Sequence, residues 1–347
     1  MLQARIHGPD DVRLDEVPEP EPGPRDAVVR VSACGICGSD LGYVRLGGLV
    51  GPTDQPMPIG HELAGVVESI GNEVEGLAVG DRVALDPSDP TGGPIIGNGS
   101  DEGGFAPQLL VREVSSGRRL HRLPESMPLE IAALAEPLGV GINAVDKVAI
   151  EPHEKAVVFG AGPIGLASVA ALRARGVEDI IAVDLSARRL AIARSLGARA
   201  TLDAGKEDVW SRIRELQGEA ELMRMPVPAT DAYIEASGAP SVIEGVIGHA
   251  RRGARLSVVA VHRAPVEVNF LLVLIRELQI TGAIEYPEDF GRGLEILERD
   301  DLSPMITHRF PLERFDEALS TAQDPSVSGK VIVEMAGQEA KDAGAPV

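Results

Sequence analysis

The sequence predicts an α/β protein in two domains, a partly closed β-barrel joined to a doubly wound parallel sheet. Three observations carry that prediction. Val157-Val158-Phe159 enters the turn Gly160-Ala161-Gly162-Pro163-Ile164-Gly165, an apolar helical stretch runs to Gly176, and Ile180 to Val183 ends at Asp184. That order of strand, tight turn, helix and strand is a parallel crossover unit. Before it lie short alternating or apolar runs separated by turn residues, the pattern of a small barrel. After it, helical and strand patterns alternate, as stacked crossover units require. A chain of 347 residues can bury two such cores.

Along the first part, Met1 to His7, Val12 to Asp15, Ala27 to Ser32, Gly65 to Ile70 and Arg82 to Asp86 read as strands. The proline-rich Val17 to Pro24 links two of them, and Gly71-Asn72 and Gly80-Asp81 mark turns. Two of the loops between strands carry chemistry: Cys37-Gly38-Ser39-Asp40 and Gly60-His61-Glu62. Thiolate, imidazole and carboxylate form a donor set suited to Zn²⁺. Taken singly, a buried cysteine or a core histidine is the plainer reading. With a nicotinamide fold downstream, the pair becomes a candidate site for polarising an alcohol oxygen. Cys34 and Cys37 are the only cysteines, which excludes a disulfide framework. A thioredoxin-like exchange would want them at a helix N-terminus inside a small βαβ fold, whereas they follow a strand well before the nucleotide fold. Gly104 to Val114 returns to the barrel and Leu120 to Leu123 adds a strand. Helical patterning from Pro128 through Ile142, despite Pro137, carries Glu136 toward the second domain.

In the second domain each glycine of the turn has a task. Gly160 permits the tight turn, Gly162 lets a diphosphate approach the backbone, and Gly165 lets the helix lie against the sheet. Pro163, near the first helical turn, costs no hydrogen bond there. Asp184, at the tip of the next strand, can accept both hydroxyls of an adenosine ribose and would repel a 2′-phosphate, so NAD is expected over NADP, with Arg189 close by. Ala187 to Leu196 and Asp208 to Leu216 read as helices, and Glu219 to Ala229 as a less regular connection. Asp231 to Ala236 is a strand closed by Ser237-Gly238-Ala239-Pro240. Val242 to Ala250 is helical and Leu256 to Val261 a strand, with His262 read as a loop histidine. Leu271 to Leu278 then reads as helix and Ile280 to Ala283 as strand. Two amphipathic helices, Phe290 to Leu297 and Leu312 to Leu319, precede a closing strand from Lys330 to Met335, and Glu339 to Val347 reads as a frayed tail.

Thirty-three basic against fifty-three acidic side chains leave a net charge of -20, which repels nucleic acid, and no basic tract argues otherwise. No signal-peptide pattern and no apolar run of membrane-spanning length appear, so a cytoplasmic protein without a membrane partner is expected.

Five segments together resemble the zinc-containing medium-chain dehydrogenase/reductase family, nearest its sorbitol, butanediol and threonine dehydrogenase branch. They are CGICGSD at Cys34 to Asp40, GHELAG at Gly60 to Gly65, VGDRV at Val79 to Val83, LAEPLGVG at Leu134 to Gly141 and GAGPIG at Gly160 to Gly165, in the family's order. The resemblance implies a GroES-like barrel (1–145, completed by 284–347) and a Rossmann-type NAD-binding domain (146–283). It implies one catalytic zinc on Cys37 and His61, with Glu62 and Glu136 as ligand or near-ligand acids. It places Ser39 as the group that takes the alcohol proton, Cys34 as packing, and Asp40 as a loop support through hydrogen bonds or an arginine. Val259 and Val261 would lie near nicotinamide, and Tyr43, Glu285 and Tyr286 would line the substrate pocket. The chain departs from the family twice. Leu85 to Gly104 lacks the four cysteines of a structural zinc, so none is expected, and the relay histidine five residues after the cysteine ligand is replaced by Gly42. The expected reaction is reversible, NAD-linked oxidation of a neutral vicinal diol, polyol or cyclic secondary alcohol to the ketone, in a homodimer or homotetramer. The alternatives are a threonine dehydrogenase-like oxidation of an amino alcohol, a zinc-free quinone or enoyl reductase, and a non-catalytic NAD-binding protein.

Overall fold

The computed structural model describes residues 1–89, 92–114 and 118–335. In chain order its elements are β1 (Leu2–Gly8), β2 (Asp11–Glu16), β3 (Ala27–Gly35), α1 (Gly38–Leu46), β4 (Met57–Pro58), β5 (Glu62–Ile70), β6 (Arg82–Leu85), β7 (Gln108–Val111) and β8 (Leu120–Arg122). There follow α2 (Leu129–Ala132), α3 (Ala135–Lys147), β9 (Lys155–Phe159), α4 (Pro163–Ala174), β10 (Asp179–Asp184), α5 (Ala187–Ser195), β11 (Ala200–Asp203), α6 (Val209–Gln217), β12 (Glu219–Leu222) and β13 (Met225–Pro228). The chain ends with β14 (Ala232–Glu235), α7 (Pro240–His249), β15 (Arg255–Val258), α8 (Phe270–Arg276), β16 (Gln279–Gly282), α9 (Gly291–Arg299), β17 (Ile306–Pro311), α10 (Phe315–Gln323) and β18 (Lys330–Glu334).

Two compact units result. The first comprises Met1–Glu136, Ile306–Asp324 and Lys330–Val347, the second Pro137–Met305 and Pro325–Gly329. α9 lies in the second unit and Ile306 in the first. In the first unit a seven-stranded sheet runs β17-β18-β3-β5-β6-β8 with β7 also on β3, beside a three-stranded sheet β2-β1-β4. Val29, Val31, Leu63, Val67, Phe105 and Phe315 are among its core, so α10 covers the barrel from the chain's far end. In the second unit six parallel strands run β11-β10-β9-β14-β15-β16. Counted from β9 and setting the β12–β13 hairpin aside, that order is 3-2-1-4-5-6, which reverses direction beside β9, where ligands bind in open parallel sheets.

Local chemistry sets the helix ends. Gly162 is the N-cap of α4 with Pro163 at its first position. Ser186 and Asp208 cap α5 and α6 by accepting from Arg189 N–H and Ser211 N–H.

Several sequence expectations change. The Cys37–Asp40 segment is not a loop: Cys37 is the N-cap of α1, whose first turn Asp40 closes from inside. The helix read from Pro128 to Ile142 is two, α2 and α3, and Pro137 is the third residue of α3, where its missing N–H has no partner to lose. The connection from Glu219 is a regular hairpin, β12 on β13, whose turn residues Met223 and Arg224 both have positive φ (51° and 66°). The tail from Glu339 lies outside the described residues. Among those residues no helix is long and apolar enough to cross a membrane.

Candidate functional site

The first site grows out of one register. β3 and β5 pair antiparallel with Gly35 opposite Glu62. Cys37 follows the end of β3 and His61 precedes the start of β5, so the sheet delivers both to one edge. Asp40, wholly buried, then ties the two segments together. Its Oδ2 accepts from Cys37 N–H at 2.8 Å, and its Oδ1 accepts from Gly60 N–H at 3.3 Å and lies 3.7 Å from His61 Nδ1. The support expected of Asp40 is thus hydrogen bonding. Ligand atoms of Cys37, His61 and Glu62 all lie within 4.8 Å of one another.

Glu62 is fully buried against Gly35, where a Cβ would come within 2.2 Å of Oε2. The missing side chain is what makes room for this carboxylate. Lys330, also buried, donates to Glu62 Oε1 at 2.6 Å, to Oε2 at 2.5 Å, and to the Ile36 carbonyl at 3.1 Å. Sequence reading missed Lys330, although a lysine opening the apolar run Lys330 to Val333 needs a buried partner and could have been flagged for it.

Electrostatics ask for a cation here. Loss of water pushes the Cys37 thiol up to about 12, and Glu62 adds to the rise. Burial likewise lifts Glu136, the second residue of α3, to about 8; His61 opposes the shift while Glu62 and Cys37 reinforce it. Burial by itself would lower the His61 pKa, but Asp40, Glu136 and Glu62 outweigh it and raise it. Four acidic groups, Cys37, Asp40, Glu62 and Glu136, thus face one ammonium. A divalent metal of zinc's kind fits this donor set. Ser39 Oγ is buried without a hydrogen bond of normal geometry, close enough to the Cys37 thiol and the Tyr43 phenol to favour the ionised form of each.

The second site lies in the second unit at the switch in strand order. Gly160 has φ of 90°, and a Cβ there would lie 2.7 Å from the Ala236 backbone. A Cβ on Gly165 would lie 1.7 Å from the Gly160 carbonyl oxygen, so α4 packs on the turn as the glycine spacing predicted. Gly162 differs: among the described residues beyond its chain neighbours, the atom nearest its missing Cβ is on the Arg189 guanidinium at 3.7 Å. Its open side faces a cavity of about 940 Å³ lined by Gly160, Gly162, Asp184, Arg189, Trp210 and Ser237. Asp184 accepts from Ala161 N–H and Ser186 N–H at 2.6 and 2.7 Å, which aims its carboxylate across the turn. A diphosphate on the α4 N-terminus and a ribose on Asp184 fit this cradle. Arg189 also reaches the Ser328 carbonyl at 2.7 Å. Pro163 and Ile164 form the first turn of α4, and Val259 and Val261 follow β15, Val261 exposed. His262 is more than a loop histidine: its Nε2 lies 2.8 Å from Glu235, a buried carboxylate that also accepts from Ser237 and Gly238.

The substrate-pocket candidates divide between the units. Tyr43 is half-buried in α1 of the first. In the second, Glu285 is exposed with φ of 60° and Asn143 donates to its carbonyl, while Tyr286 packs edge-on against Phe290. The cysteine-free segment after β6 is held by side chains: Asp86 accepts from Ser88, Glu102 pairs with Arg112, and buried Arg119 donates to the Arg112 and Pro87 carbonyls.

Comparison with known proteins identifies two domains. Residues 23–124 match the alcohol dehydrogenase GroES-like domain and residues 163–299 the zinc-binding dehydrogenase domain. The chain is similar to sorbitol dehydrogenase of Homo sapiens, 33% identical over 340 residues that cover 92% of each protein. Among solved structures it is similar to 2R,3R-butanediol dehydrogenase from Bacillus subtilis (TM-score 0.85, 30% identity, 96% of this chain and 99% of that one). It is also similar to galactitol-1-phosphate dehydrogenase from Escherichia coli (TM-score 0.81, 26% identity, 96% and 100%).

Proposed function

This chain belongs to the zinc-containing medium-chain dehydrogenase/reductase family, and on that premise we propose that it oxidises a neutral vicinal diol, polyol or cyclic secondary alcohol reversibly to the ketone. The broader activity, zinc-dependent and NAD-linked alcohol or polyol oxidation, follows from its relatives. One observation carries the assignment to particular residues: the convergence of Cys37, His61 and Glu62 within 4.8 Å.

When bound, the metal supplies Lewis acidity toward an alcohol oxygen and the nicotinamide an acceptor for the hydride. The chain does the rest. Cys37 and His61 hold the cation, with Glu62 and Glu136 as the acids at its side. Ser39, whose buried hydroxyl lies beside the Cys37 thiol and the Tyr43 phenol, receives the substrate proton. Gly42 stands where relatives place a relay histidine, so the proton leaves Ser39 by water, the cofactor ribose or an acid. Gly162 leaves space for the diphosphate at the N-terminal end of α4, whose first turn holds Pro163 and Ile164, and Gly160 turns the chain beneath it, while Asp184 takes the ribose and disfavours NADP. The first unit is thereby the catalytic domain and the second the NAD-binding domain. Glu285 beside Tyr286 disfavours phosphorylated and carboxylated substrates.

The enzyme acts in the cytoplasm as a homodimer or homotetramer. β16 is one edge of the six-stranded sheet, and Phe270, Leu271, Leu274 and Ile280 are exposed on α8 and β16. Sedimentation as a monomer at micromolar concentration would refute the assembly. The function is tested by following NAD⁺ reduction by zinc-loaded protein across vicinal diols, polyols, cyclic alcohols and L-threonine. Turnover of a neutral diol or polyol is expected. Turnover confined to L-threonine, or to conjugated double bonds without zinc, would overturn it.

A further inference from the structure

We infer that His262, held by Glu235, accepts through its Nδ1 a hydrogen bond from the nicotinamide riboside half of the dinucleotide, from the amide N–H₂ or a ribose hydroxyl. The inference rests on the dinucleotide site described above. Asp184 ends β10 on one side of β9, so a dinucleotide lying across the switch in strand order extends its other half over β14 and β15. Glu235 is the last residue of β14, paired with Phe159 of β9 and Val258 of β15. Its carbonyl accepts from Val259 N–H and Ala260 N–H at 3.0 and 3.1 Å, and a Cβ on Gly238 would lie 3.4 Å from the Val261 carbonyl oxygen. The loops after the two strands thus lie against each other, and Ser237 in the first of them lines the cavity that Asp184 also lines.

The hydrogen bonds fix what each atom can do. Glu235 is wholly buried, and a carboxylate only accepts. Its Oε1 takes three donors: Ser237 N–H at 2.8 Å, the Ser237 hydroxyl at 2.6 Å and Gly238 N–H at 2.8 Å. Its Oε2 lies 2.8 Å from His262 Nε2, so Nε2 carries the hydrogen and the neutral ring keeps a lone pair on Nδ1. That Nδ1 is buried and has no hydrogen-bond partner among the described residues. Leaving a buried acceptor without a donor is costly. A clasp between the two loops would need Nε2 alone, so the second nitrogen is the one a ligand can use. The side chain is 12% exposed between exposed Val261 and Arg263, just beneath the surface of its loop.

Two nearly isosteric changes separate a ligand contact from a clasp. In Glu235→Gln the three donors at Oε1 oblige the amide oxygen to take that place, which turns the new N–H₂ toward His262. Nε2 then becomes the acceptor, the hydrogen moves to Nδ1, and a donor meets a donor. His262→Gln keeps an N–H for Glu235 and drops the Nδ1 acceptor. Full-length protein is titrated calorimetrically with NAD⁺ and with ADP, which lacks the nicotinamide riboside. Each variant should bind NAD⁺ about tenfold more weakly than wild type and ADP equally well. The same titration with 3-acetylpyridine adenine dinucleotide, in which a methyl group replaces the amide nitrogen, identifies the donor. No loss in the variants assigns it to the amide, and the same loss as with NAD⁺ assigns it to the ribose. If Glu235→Gln does not fold, His262→Gln is read alone. Wild-type NAD⁺ affinity in either folded variant, or equal losses for NAD⁺ and ADP, would overturn the inference and leave the dinucleotide site standing. Failure of the wild type to bind NAD⁺ and ADP would overturn both.

Discussion

Gly162 and Gly165, three residues apart in the same turn, should fail in opposite ways when replaced by alanine. At Gly165 the new Cβ would meet the Gly160 carbonyl oxygen at 1.7 Å, and real contacts of this kind essentially never fall under 3.0 Å. α4 must retreat by more than an ångström, yet every residue from Gly165 to Leu172 is buried, so the helix has no free side to move toward. Overpacking on that scale costs about 3 kcal/mol. At Gly162 the Cβ meets no protein atom closer than 3.7 Å and φ is -67°, which alanine adopts freely. Gly162→Ala should cost only about 0.5 kcal/mol, from poorer capping. It should instead intrude on the diphosphate and weaken NAD binding at least tenfold, about 1.4 kcal/mol. Urea unfolding reads the first effect. Trp210, the chain's single tryptophan, lines the cavity, so its fluorescence on NAD titration reads the second. Wild-type NAD affinity in Gly162→Ala would show that the diphosphate does not lie on this turn. Wild-type stability in Gly165→Ala would show that the helix is not packed on it.

Ser39→Ala should lower kcat by about 100-fold or more while leaving the NAD KM unchanged, measured by steady-state kinetics; undiminished turnover would place proton acceptance elsewhere. Metal analysis of the purified chain should find one zinc per subunit, since Leu85 to Gly104 offers no thiolate; two tightly held ions would contradict this. At Asp146 burial favours the neutral acid, but hydrogen bonds and charge from Arg292 and Arg175 prevail and hold the carboxyl below its ordinary 3.8. A depressed carboxyl stabilises the fold above its unfolded value and loses that contribution as pH falls through its folded value. The urea stability of wild type should therefore exceed that of Asp146→Asn at neutral pH, with the gap closing below pH 3.8. A gap independent of pH would show that the ion pairs are not its source.

What was legible in the sequence was what depends on near neighbours. A glycine forced to positive φ, a proline at a helix start and an acid at a strand tip lie within Gly160 to Asp184, and their geometry follows from the backbone of that stretch alone. The donor types Cys37, His61 and Glu62 were legible for the same reason, as two short motifs. α1 was not: its residues carry no clear apolar face, and the helix is closed by Asp40 reaching back to Cys37 N–H. Nor was the division of charge at the site. Glu62 and Lys330 stand 268 residues apart, and only the β3–β5 and β18–β3 registers bring them together. Sequence by itself determined the turn and the donor types, because these are local requirements of backbone and chemistry. Tertiary structure decided which buried charge answers which, because desolvated charges take whatever partner the sheet puts beside them, however distant along the chain.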